Sequence, residues 1–410
     1  MRNQCLRCAI TIILLIHFLG TSSSTLSSGP MFALEFDFHI HDIVKEIKDT
    51  KLITYMPEEL IESKTVYDVP IDIGDTQLRM NGKWSDKDDH PAKPIVLPEC
   101  FSRFKGTMAI LKNIYVNKNS GILLPGKFIV PTTDTWYHNH KKPSSGKVVA
   151  EYDNCVCFGH ESTKLYGHWM VDYLSMLMLL PQDVLETYKL INVPNMKGAH
   201  ETLDFLNVPK ENRIPYPAGS NLYFLRRCYY MYEPLTMTNH YGLPLQKIRD
   251  WLHEKFDLDG IEKTKYCCYQ RNARRKIINF DEMVKKLKEK YPEYKWECIE
   301  DHQTLTQCAR YWAAIKLIIS GNGSHYFRCF CMNKGAVAVE VHGVFHDLSC
   351  LGAIIMCGVH CITLQNPALT HAVWWGGRAY NMEINKIVKT VKYLQPYLSG
   401  GKFPSEPLVF

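Results

Sequence analysis

Between residues 262 and 365 the chain alternates short β-branched runs with amphipathic ones at a nearly constant interval. Strand-like runs at 266–270, 296–299, 316–320, 336–341 and 360–364 are separated by helical patterns such as 281–291 and 303–314. Such alternation is the mark of parallel βαβ units, so this half is expected to be a parallel sheet covered by helices. Residues 100–240 mix the two patterns as well, with strand-like 147–158, 189–193 and 222–230 and helical 168–180 and 199–206. The fold class expected is α/β, with two facing Rossmann-like domains and a cleft between them.

One strand of the regular half ends informatively. Ile315-Lys316-Leu317-Ile318-Ile319-Ser320-Gly321-Asn322-Gly323-Ser324-His325 empties a β-branched run into a Gly-x-Gly turn, and a helical stretch follows at 326–332. In open α/β sheets ligands bind beyond the carboxyl ends of strands, where a helix start offers backbone N–H groups to an anion. Arg271 and Arg275 follow the 266–270 strand, and a guanidinium fork suits phosphate oxygens better than an ammonium does. The 336–341 strand delivers Glu340 to the same edge. Gly321, Asn322, Gly323, Ser324 and His325, with Arg271, Arg275 and Glu340, therefore describe a nucleotide-diphosphate site. Plainer readings stand beside it. A tight turn needs glycine for backbone reasons alone, and Arg274 and Lys276 make the arginine stretch cationic anyway. Asn279 lies three residues before Glu282, the spacing of a helix capping box, and is a second-rank site residue.

A polar stripe marks the first half. His168, Asp172 and Ser175 fall at i, i+4 and i+7, on one face of a helix whose other residues, Trp169 to Leu180, are almost all apolar. Polar groups on a buried helix must be hydrogen-bonded or line a cavity. The stripe either satisfies the helix's own start or faces a cleft.

Taken in order, four blocks resemble the catalytic region of glycosyltransferase family 61. They are Tyr166-Gly167-His168-Trp169-Met170-Val171-Asp172, then Arg271 to Glu282 with its Arg-x-Ile-x-Asn-like segment, then the glycine turn, then Val339-Glu340-Val341. The resemblance covers roughly residues 150–365. It implies a GT-B enzyme that moves xylose, N-acetylglucosamine or arabinose from a nucleotide-sugar donor, UDP-linked in the first reading, to a hydroxyl of a glycan or glycoprotein with inversion. Inversion needs a base for the acceptor hydroxyl; Asp172 or His168 would serve, with the other orienting it. The arginines would replace a divalent ion, so neither metal nor cofactor is expected; the nucleotide sugar is a substrate. Asp86-Lys87-Asp88 and Asp257-Leu258-Asp259 lack the strand context of a metal-bound donor site. One departure stands out: asparagine occupies position 322, where the family usually has histidine. A catalytically inactive glycan- or nucleotide-binding relative and a GDP-sugar-dependent GT-B transferase are the alternatives.

With 410 residues, 46% of them hydrophobic, the chain can bury two cores. The expected division is 1–25 signal peptide or short anchor, 26–95 irregular stem, 96–242 acceptor-side domain, 243–380 nucleotide-sugar-binding domain and 381–410 closing helix and tail. A net charge of +6 with interspersed signs does not indicate nucleic-acid binding. Arg2 and Arg7 precede an apolar run at 8–20 that is shorter than the ~20 residues of a bilayer span. It reads as a cleaved secretory signal or a retained type II anchor attached to the membrane. Either places the body in the lumen of the endoplasmic reticulum or Golgi. Fifteen cysteines suit that compartment without forming a clear framework. The sole Asn-x-Ser/Thr sequon, at Asn322, lies inside the proposed ligand turn and is expected to be folded away.

Overall fold

Six parallel strands carry the regular half. The computed structural model describes residues 44–81, 102–130, 145–232, 242–271, 274–299, 304–343 and 348–410. In it the sheet runs Trp296–Ile299, Lys265–Tyr269, Ile315–Gly321, Val337–His342, His360–Gln365, Leu78–Asn81, every neighbouring pair parallel. The central strands are buried on both faces, which is why they read as unbroken apolar runs. Phe280–Lys290 and Ile384–Leu398 cover one face, over Leu317, Ile319, Val337 and Val339. Helices Leu243–Phe256, Leu305–Ala313 and Leu348–Met356 cover the other, over Ile318, Ala338 and Cys361.

The edge strand Leu78–Asn81 comes from the segment expected to be an irregular stem. A parallel sheet with a bare edge exposes unpaired N–H and C=O groups. Four residues suffice to cover this one, and so short a strand leaves no periodic signal. The same segment also supplies Ile61–Pro70, which pairs antiparallel with Arg103–Val116.

The first sheet departs from the Rossmann-like expectation. Its nine strands are mixed in direction: Leu222–Tyr232 runs antiparallel to Arg103–Val116 and parallel to Gly146–Cys157. Ile122–Leu124 and Lys127–Ile129 form a tight hairpin. Several outward positions of Gly146–Cys157 and Ile61–Pro70 face water, a burden that antiparallel neighbours carry more readily than buried parallel strands. The whole is mixed α/β with two sheets. Trp169, Tyr173, Leu177 and Trp312 belong to one buried core that reaches from Val156 and Leu190 of the first sheet to Ile318 of the second. Burying each such aromatic is worth roughly 2–3 kcal/mol.

Leu243–Phe256 forms a helix that begins where the second of the expected domains begins. Asp257 is its left-handed C-terminal residue, and Asp259 takes a hydrogen bond from His253 at 2.7 Å, so this Asp-x-Asp match caps a helix. The other match, at 86–88, lies outside the described residues, as do the N-terminal segment 1–25 and parts of the stem. Among the described residues no helix is long and apolar enough to cross a membrane. Of the twelve described cysteines, all but Cys298 are buried. His360 accepts from the Gln77 amide at Nδ1 and meets the Tyr397 hydroxyl at Nε2, both at 2.9 Å, which ties the edge strand's approach to the C-terminal helix.

Candidate active site

At the carboxyl ends of two adjacent parallel strands the chain builds a cationic loop against a glycine turn. Gln270, just past the first strand, uses its side chain as a surrogate backbone. Its Oε1 accepts from the amides of Arg271 and Ile277, both at 3.1 Å, and its Nε2 donates to the Ile277 carbonyl at 2.8 Å. That closes the arginine loop. The Arg275 amide donates to the Gly377 carbonyl at 2.8 Å, and Arg275 holds a left-handed φ of 58°, a conformation non-glycine residues adopt at a cost of about 1–3 kcal/mol. Such strain persists where the surroundings over-determine it, and it gathers at functional sites.

Both guanidinium groups converge on Asn322. Nη1 of Arg271 donates to its carbonyl at 3.1 Å, and Nη1 of Arg275 to its Oδ1 at 3.4 Å. The Asn322 Nδ2 donates to the buried Glu340 carboxylate one strand over, whose backbone lies in register with Ser320. Asn322 is 1% exposed, so the sequon is folded away. A Cβ at Gly323 would collide with Arg271 Nη1, and one at Gly321 with the Tyr380 hydroxyl. Glycine is required here so that arginine and tyrosine can come this close. Burial raises the Tyr380 hydroxyl pKa, opposed by Arg271 and Arg275.

His325 lies 4% exposed, stacked 4.1 Å from Tyr269. Burial holds its pKa well below the ordinary range, assisted by Arg271, Arg328 and Arg275, so the ring is neutral. Neither ring nitrogen finds a hydrogen-bond partner among the described residues. Asn279 turns elsewhere. Its Nδ2 donates to the Met382 carbonyl at 2.9 Å and its Oδ1 accepts from the Met382 amide at 2.8 Å; it makes no side-chain cap. The amide ties the C-terminal segment to the start of helix Phe280–Lys290 and does not join the arginine cluster.

The second cluster stands at the start of the buried helix. Asp172 is 6% exposed, and its Oδ2 lies 2.7 Å from Nδ1 of His168 and 2.8 Å from Nε2 of His160. Here the helix opens into a π-helical turn over Trp169–Leu174, a widening common at functional sites. Ser175 is not part of the cluster; it donates to the carbonyl of Val171 four residues back. The atoms of His160, His168 and Asp172 lie within 4.8 Å of one another, a grouping that invites comparison with a cation site. Gly167 joins the two clusters. A Cβ there would meet Phe327 at 2.5 Å and Ser324 Oγ at 2.9 Å, so the residue before His168 rests directly on the segment that follows the glycine turn. Arg328, on the same segment, lies 5.2 Å from the ring of Tyr166.

Residues 166–339 match the family model described as Glycosyltransferase 61. The match spans less than half of the chain and agrees with the resemblance carried by the four sequence blocks. The chain is a glycosyltransferase, and as such it uses a sugar donor and an acceptor. No curated protein matches the chain. The family 61 match encloses His168, Asp172, the arginine loop and the glycine turn; His160 falls six residues before it and Glu340 one residue after. His160, Gln270, Tyr380 and Arg328 are the site neighbours that sequence reasoning missed. His160 sits in a loop before the helix, outside any periodic pattern, and only its polarity beside Gly159 hints at a role.

Proposed function

We propose that this glycosyltransferase moves a sugar from a nucleotide diphosphate donor to a glycan or glycoprotein hydroxyl with inversion, the two sheets serving as the GT-B halves. The observation that carries this reading is two guanidinium groups held on Asn322 at a strand end, with a His168–Asp172 pair whose neighbour Gly167 packs on Ser324 and Phe327 just past the same turn. In the transfer, the acceptor hydroxyl gives its proton to the His168–Asp172 pair as its oxygen attacks the anomeric carbon. The bond from that carbon to the β-phosphate oxygen breaks, and the electron pair leaves on the diphosphate. Arg271 and Arg275 stand where fixed positive charge would stabilise that leaving group without reorganising. The glycine turn, residues 321–325, supplies backbone and side-chain donors beside them, and Glu340 holds Asn322 in place. The reading needs no metal. A UDP-linked xylose, N-acetylglucosamine or arabinose is the donor class it favours. It places the enzyme in the lumen of the secretory pathway, with residues 243–380 as donor domain and 96–242 as acceptor side.

One observation favours a second reading. Asn322 spends its amide on Glu340 and its Oδ1 on Arg275, and asparagine cannot become cationic as the family's usual histidine can. A relative that binds a nucleotide or glycan without transfer would fit that arrangement. The test is a panel of UDP- and GDP-sugars, scored for hydrolysis and for thermal stabilisation of the protein. Turnover with a UDP-sugar supports transfer; stabilisation without turnover supports the binding reading; a GDP-sugar response alone reassigns the donor.

A further inference from the structure

Which member of the second cluster is the base, and what His160 does there, can be read from hydrogen positions that geometry dictates. The backbone amide of Ser162 donates to His160 Nδ1 at 3.3 Å, so that nitrogen carries a lone pair and the ring proton sits on Nε2. Nε2 faces Asp172 Oδ2 at 2.8 Å. An ionised carboxylate can only accept, so the other imidazole at the same oxygen, His168 Nδ1 at 2.7 Å, also presents its N–H. This tautomer leaves the lone pair of His168 on Nε2. The His168 side chain is 27% exposed, against 9% for His160 and 6% for Asp172, so His168 is the member an acceptor can reach.

His160 is itself held. Its carbonyl accepts from Thr163 Oγ1 at 2.7 Å and from the Tyr216 hydroxyl at 3.1 Å, and its ring meets that of His168 edge-on at 5.6 Å. A cation at the centre would need lone pairs pointing inward. The Ser162 amide instead leaves His160 presenting a hydrogen to that point. Contacts of 2.7 and 2.8 Å are hydrogen-bond lengths. Ligands sharing one tetrahedral ion at the usual bond lengths stand ~3.3 Å apart.

We propose that His160 is a positioning residue. It donates to Asp172 and fixes that carboxylate, which in turn fixes His168 with Nε2 toward the acceptor hydroxyl as the general base. This rests on the transfer reading above, and names the base and its support within that same site.

The test uses the full chain labelled with ¹⁵N-histidine, with His160→Leu and His160→Gln. In the unsubstituted protein, nitrogen shifts should show His160 protonated on Nε2 and His168 on Nδ1. His160→Leu should let His168 populate both tautomers. It should lower kcat roughly 10- to 100-fold, the usual cost of removing a group that orients a functional one, with KM for the donor unchanged. His160→Gln, whose amide still donates, should recover most of that kcat and the single tautomer. A ring proton on Nδ1 of His160 would overturn the proposal. So would native kcat in His160→Leu, or equal losses in both variants accompanied by equal drops in melting temperature. Stoichiometric manganese or zinc lost in both variants would make the residue a ligand instead. If the native protein turns over no nucleotide sugar, the transfer reading fails, while the tautomer measurement still decides the role of His160.

Discussion

On the loop side of the site, arginine side chains are held by backbone: closure through Gln270, a left-handed Arg275, and glycines at 321 and 323 that leave room for nothing else. On the helix side, three side chains hold one another around a single carboxylate oxygen, on a helix start and a loop that Thr163 and Tyr216 brace. In the proposed mechanism the loop side cradles negative charge, whereas the helix side is a hydrogen-bond chain whose His168 end is the most exposed. Donor binding and proton transfer in that mechanism rest on different supports, so each should be alterable without the other.

The sharpest way to break that separation is Asp172→Asn. It should lower transfer ~10²–10⁴-fold, the span of a general-base contribution, while donor binding stays nearly intact. If the cluster merely satisfies a buried helix start, melting temperature should fall and activity per folded molecule should hold; turnover and unfolding measured on one preparation decide. On the loop side, Arg275→Lys keeps charge and loses the fork. Calorimetry should show donor-nucleotide binding weakened by ~1.5–3 kcal/mol, and unchanged affinity would remove Arg275 from the site. Gly323→Ala drives a methyl into Arg271 and should cost about 1–3 kcal/mol, read as weaker donor binding with the proton-transfer side untouched. A loss confined to stability would mean the arginine does not meet the donor. Asn279→Ala removes two hydrogen bonds to Met382, and denaturant unfolding should report a loss of about 1–3 kcal/mol with donor affinity unaltered. The smallest effect is expected from excess chelator after dialysis, which should leave turnover unchanged; activity lost and restored by manganese would show that a cation shares the cradle's task.

The parallel sheet was legible because its strands are buried on both faces and must be continuously apolar. Pattern failed where pairing partners come from far away. Leu78–Asn81 is specified by a bare sheet edge some 280 residues downstream, and the mixed first sheet by long strands whose neighbours are set by topology. Arg271, Arg275 and Asn322, grouped by motif spacing, also lie together in the fold, since strand register carries them to one edge. Spacing placed Asn279 in a capping box, yet the backbone there has φ −94° and ψ 33°, and the amide is drawn instead to a segment a hundred residues away. His160 was invisible for a related reason: a loop residue owes its position to the hydrogen bonds of Thr163 and Tyr216 rather than to any repeat.

The buried cysteines make the folded chain its own clock. Burial raises the thiol pKa of Cys155, Cys268, Cys329, Cys331 and Cys361, among others, and thiolate is the form that reacts with alkylating reagents. Of the described cysteines only Cys298 is exposed in the native state. Alkylation of the remainder therefore measures how often each layer opens, with Cys155 and Cys228 timing the first sheet, Cys268 and Cys361 the second, and Cys329 the segment beneath the site.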